Sequence, residues 1–200
     1  MGDSMSTLQV DAIKKTDGSS AELSDLGVTT GYEVHWWGYS GTQSTGADSI
    51  TYLNGFTTFH DTDDADGTDE GVSLFKEVGS NSFTQSSGVF TFPRTGVWKV
   101  TATLNLQDND ADSRHVNISI EVSSNSGSSY SPFNTGYDHF KYISSNTYIN
   151  LTGHRVVNVT NASTFRCRIG VLSNTDLDVI KNKADFSQSH LMFERVADAQ

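Results

Sequence analysis

Two knots of acidic residues have the density that a hard cation looks for. Asp61, Asp63, Asp64, Asp66, Asp69 and Glu70 crowd ten positions, and Asp108, Asp110 and Asp112 stand two apart. Calcium takes carboxylate oxygens of this kind. The first knot fails as an EF-hand: with Gly67 as the invariant glycine, Thr62 and Ser73 fall at the first and last ligand positions, where carboxylates belong. The second could share one ion, but like charges on a loop ordinarily face water. Neither is assigned as a metal site. The histidines are 35, 60, 115, 139, 154 and 190; none pair at helical ligand spacing and no cysteine cluster joins them, so no zinc motif forms. No serine lies in a nucleophile elbow, since Gly127-Ser128-Ser129-Tyr130-Ser131 lacks the second glycine. No glycine loop for phosphate is present. A glycosidase carboxylate pair is set by folding and would not show in sequence. The expectation is a non-enzyme, with no catalytic, cofactor-binding or metal residue assigned and no cofactor.

Cys167 is the single cysteine, so no internal disulfide forms, which points to cytosolic synthesis. It alternates with Phe165, Ile169 and Val171, the pattern of a small core residue. Asn-x-Ser/Thr triplets begin at Asn117, Asn150, Asn158 and Asn161, in a chain whose wealth of Asn, Ser and Thr makes them by chance. Asn117 also falls inside a strand pattern, a poor place for a glycan.

The elements that must position these residues are strands. Of 200 residues, 35% are hydrophobic and 18% charged; Ser, Thr, Asn, Asp and Gly fill the gap, as short strands with polar turns require. The net charge of −11 repels phosphate backbones and anionic membrane surfaces, which argues against nucleic acid and membrane as partners. No apolar run reaches the roughly 20 residues of a membrane span. Met1 to Lys15 lacks the apolar block of a signal peptide, so synthesis in a host cytoplasm is expected.

The clearest strand follows Phe83. From Trp98, the residues Trp98, Val100, Ala102, Leu104 and Leu106 share one face; Lys99, Thr101, Thr103 and Asn105 take the other. Pro93 and Gly96 bracket the turn into it. Val116, Ile118, Ile120 and Val122 alternate with Asn117, Ser119, Glu121 and Ser123, which predicts one clean buried face. Glu33–Tyr39 holds Trp36 and Trp37, which must point to opposite faces, one toward an interface or a sugar-stacking platform. Residues 40–48 read as a loop. Ile50 to Phe59 reads as one strand broken by a hairpin or bulge at Asn54-Gly55. Val72 to Val78, His139 to Asn150, Thr164 to Leu172 and His190 to Val196 complete the strands. Gly153 is expected to turn the chain into Val156, and 173–186 to be a helical turn or a loop.

Phe83, Phe90 seven residues on, Gly96 six further, then Trp98 and Val100 at alternate positions resemble the signature of the complement globular head and tumour necrosis factor-like jelly rolls. Trp98 stands where that family has tyrosine, and Val100 where it has phenylalanine. The resemblance covers residues 50 to 196. It implies an all-β, ten-stranded antiparallel sandwich, a compact homotrimer, a central final strand near the threefold axis, and partner binding without catalysis.

The chain thus divides into an N-terminal arm, 1–30, and a jelly-roll domain, 31–200. The arm opens Ser6-Thr7-Leu8-Gln9-Val10-Asp11-Ala12-Ile13, which is similar to the starts of tailed-phage virion proteins. The function expected first is a homotrimeric virion protein, a capsid decoration or cement spike tied to capsid or other virion proteins through residues 1–30. The alternatives are the receptor-binding head of a tail fibre, reading a host-surface glycan or protein through Trp36, Trp37 and the loops 40–48 and 124–136, and a secreted complement- or necrosis-factor-like ligand.

Overall fold

The structure is a computed structural model and describes residues 32–39, 42–58, 83–108, 113–140, 147–179 and 189–200. These residues form β1 (Glu33–Tyr39), β2 (Gln43–Ser44), β3 (Ser49–Tyr52), β4 (Phe56–Thr58), β5 (Thr84–Ser86), β6 (Val89–Thr91), β7 (Gly96–Asp108), β8 (Ser113–Ser123), β9 (Asn134–Phe140), β10 (Thr147–Val159), β11 (Arg166–Ser173), β12 (Asp178–Val179) and β13 (His190–Ala197). They make two antiparallel sheets. In the first, β10 lies along one edge of β7 from Thr147↔Asp108 to Val159↔Gly96. The other edge of β7 takes β13 and then the short β12, with β1 and β4 beyond β13 and β2 beyond β12. The second sheet runs β5-β6-β11-β8-β9.

The alternation of β7 sets the core. Trp98, Val100, Ala102, Leu104 and Leu106 are all fully buried, and across the sandwich Ile118, Ile120, Cys167, Ile169 and Val171 meet them. Aromatic rings fill one end: Phe83 sits edge-on to Trp98 at 5.2 Å and packs on Phe193 at 4.3 Å, with Phe90 and Phe92 beside them. A fully buried side chain of this size contributes about 1.5–3 kcal/mol through removal from water. The spaced pair Phe83 and Phe90, on which the resemblance rests, is therefore core. The final strand is central, between β1 and β7, as the resemblance implies.

Several expectations are corrected. Ile50 to Phe59 is not a strand with a hairpin or bulge. Leu53, Asn54 and Gly55 carry the chain from one layer to the other: β4 pairs with β1, whereas β3 is tied to β11 by Asp48 N–H donating to the Ser173 carbonyl and Leu53 N–H to that of Ile169. Gly153 does not turn the chain. It sits within the continuous β10, because β9 crosses so close that a Cβ there would meet Thr135 Cγ2 at 2.5 Å. Residues 40–48 include β2, and 173–186 include the strand β12 with Leu177 buried in the core. His139 to Asn150 divides between the end of β9 and the start of β10. The outward face of β8 is not solvated: Asn117, Ser119, Glu121 and Ser123 are all buried. Asn105, expected outside, is buried too, its Nδ2 donating to Asn150 Oδ1 at 2.8 Å. The arm at 1–30, the acidic run 61–70 and the strand expected at 72–78 lie outside the described residues.

Candidate interaction surfaces

The outer face of the first sheet is built in rows by the strand register. Trp36, Met192, Thr101 and His154 form one row across β1, β13, β7 and β10; Val34, Glu194, Lys99 and Val156 form the next. The opposite orientation of adjacent residues sends Trp37 into the core against Phe90 and leaves Trp36 half-buried on this face. The Trp36 ring lies 5.6 Å from that of His190, and partial burial pushes the His190 pKa below its ordinary value. Glu194 holds Lys99 Nζ at 3.2 Å. Tyr148 and Val156 on β10 are exposed.

The outer face of the second sheet is closed by its own chain. β3 rides over Gly170, where a Cβ would meet Ile50 Cγ2 at 2.6 Å and Tyr52 Cδ1 at 3.2 Å. Beside it, the Arg168 guanidinium lies between two rings, 3.6 Å from the centroid of Tyr52 and 3.8 Å from that of Tyr130. Arg168 Nε donates to Glu121 Oε2 at 2.8 Å and Nη2 to the same oxygen at 2.6 Å, while the Tyr52 hydroxyl donates to Glu121 at 3.1 Å. One buried carboxylate on β8 thereby ties β3 and β11, and Arg168 in turn ties the hairpin that carries Tyr130. Burial and the Glu121 charge raise the Tyr52 pKa.

At the side of the sandwich, Arg155 projects from β10 toward the second sheet. Its Nη1 donates to the carbonyls of Ile120, at 2.8 Å, and Ser131, at 2.6 Å, and its guanidinium stands over the exposed Phe133 ring at 5.6 Å. Arg166 shares the outer face with Arg168 and donates Nη1 to the Phe165 carbonyl.

Of the residues that sequence singled out, Asp108 ends β7, and Asp110 and Asp112 fall outside the described residues. Among the described residues no group of three His, Cys, Asp or Glu is placed to hold a metal ion. His35 is buried between Phe83 and Trp98 rather than available at the surface. Cys167 is fully buried, and burial pushes its thiol up to about 12. Of the asparagines, Asn117 is buried, Asn158 exchanges bonds with the backbone of Gln200, and Asn161 accepts from Ser163. Trp36 and the hairpin within 124–136 lie at the surface, as a recognition role needs; Trp37 does not. Sequence reasoning missed the Glu121–Arg168–Tyr52–Tyr130 cluster. Its one available signal was a lone Glu on β8 and the two arginines Arg166 and Arg168 on β11, at the outward positions of two apolar strands.

The two-sheet fold is similar to that of tumour necrosis factor-like jelly rolls among solved structures. Murine APRIL superposes with a TM-score of 0.53 at 8% identity, covering 83% of this chain and 100% of APRIL. The Eiger TNF of S. frugiperda gives 0.53 at 11% identity, covering 84% and 95%. No protein-family model matches the chain, and no curated protein matches it in sequence.

Proposed function

We propose that the chain is a non-enzymatic assembly module, a jelly roll that associates as a homotrimer through the outer face of its first sheet. The observation that carries this is the Trp36–Met192 pair, left half-buried in mid-sheet on a face that no other described strand covers. Large side chains in such a place gain most by packing against another copy. Sedimentation equilibrium at mid-micromolar concentration tests it: a mass three times the 21.8 kDa chain is expected, and a monomer would overturn it.

The setting we put forward is a virion surface, with the chain as a capsid decoration or cement protein and residues 1–30 as its tie to capsid or other virion proteins. The likeness of the opening segment to phage virion proteins supports it. Imaging of particles carrying a labelled copy tests it: many copies on the shell are expected, and none on the particle would sink it.

A second reading is a receptor-binding head or secreted ligand. The exposed hairpin with Phe133, and the likeness to APRIL and the Eiger TNF, favour it. A host-adsorption assay separates the two, since decoration needs no host ligand.

A further inference from the structure

We infer that the region around the hairpin 123–133 binds an anionic polysaccharide, its carboxylate or sulfate groups taken by Arg155 and Arg166 and its sugar rings resting on Phe133 and Tyr130. The inference concerns one chain and stands whether or not the trimer forms.

Charge is unevenly distributed in this acidic protein. Residues 122–137 carry no Asp, Glu, Lys or Arg, and residues 147–175 carry Arg155, Arg166 and Arg168 with no acid. Folding brings these two stretches together. Arg155 bonds the hairpin at the Ser131 carbonyl, and Arg168 stacks on Tyr130. Arg168 is already neutralised by Glu121. Arg155 and Arg166 are not: each donates only to backbone carbonyls. Such bonds orient a guanidinium without cancelling its charge, and a planar guanidinium takes carboxylate or sulfate oxygens through paired donors.

The surface shape narrows the partner. The hairpin is a ribbon of Ser, Asn and Gly with exposed Phe133 at 47%, and not a cleft that would enclose a small ion. A polymer with repeated, spaced charges satisfies separated arginines without a pocket.

The test passes the full chain at 50 mM NaCl over immobilised sulfated polysaccharide, polyuronate, neutral dextran and single-stranded DNA. Retention on the sulfated or uronate matrix, but not on dextran or DNA, is expected, and the two anionic arms distinguish sulfate from carboxylate. Arg166→Ala should weaken the dissociation constant about tenfold, the loss of one charge-assisted contact. Arg155→Lys, which keeps the charge and loses the fork, should weaken it less, with thermal melts confirming that both variants fold. Failure to bind either polyanion, equal retention on DNA, or unchanged affinity in Arg166→Ala would each overturn the inference.

Discussion

The two sheets present the same kind of strand to the core and opposite kinds of surface to the outside. On β7 the outward Lys99, Thr101 and Thr103 stay half-exposed. On β8 the outward Ser119, Glu121 and Ser123 are buried, although they are at least as polar. The difference comes from what lies above. β3 and the 123–133 hairpin fold over the second sheet, and the Glu121–Arg168 pair with its two tyrosines fixes them there. Polarity of an outward residue therefore does not decide its exposure. A buried carboxylate persists here because several donors converge on it, as burying an ion otherwise costs several kcal/mol.

The comparison can be broken most directly at Glu121. Glu121→Ala leaves Arg168 without its counter-charge and should cost about 3 kcal/mol, the lower end for a broken buried pair since Arg168 keeps some contact with water. Thr101→Ala, on the other sheet's outer face, should change stability by no more than about 0.5 kcal/mol. Urea unfolding of both variants measures the contrast, and equal losses would refute it. Next in size is Gly170→Val, which forces Ile50 outward and should cost about 1–3 kcal/mol by overpacking. Hydrogen exchange should then rise at Leu53 N–H while the pairing of β7 with β10 stays protected. Tyr130→Ala removes one of the two rings on Arg168 and should cost about 1 kcal/mol, a cation–π contact of partial exposure, read by thermal melts.

The smallest effect belongs to the first sheet. Burial holds the native pKa of His190 below the ordinary 6.5, so the unfolded chain takes up the proton first. Stability is then level above about pH 6.5 and declines as pH falls from there through the lowered native value. His190→Gln should flatten that decline in acid melts. The slope should steepen at concentrations where copies associate, because assembly would bury the ring further.

The sandwich was legible wherever alternation was clean. Trp98 to Leu106, Val116 to Val122 and Phe165 to Val171 each placed their apolar residues on the core side. Glycines were misread because a glycine that turns the chain and one that lets another strand pass close, as Gly153 does beneath β9, look alike in sequence. Asn54-Gly55 carries a hairpin signal, yet the flanking strands belong to different layers. The outer surfaces were the least legible. Trp36 could be assigned to a face opposite Trp37, but nothing local said that it would stay half-buried while, among the described residues, the outward side chains of β8 would be covered.

By itself the sequence determined two antiparallel layers and the side of each strand that meets the other layer, because a period of two is a local property that a single strand displays. Only tertiary structure decided which outward faces see water, and which arginine among Arg155, Arg166 and Arg168 finds a carboxylate. Those outcomes depend on chain segments brought from far away: Tyr52 reaches Glu121 across 69 residues, and Arg168 reaches it across 47. No window short enough to show periodicity contains both partners.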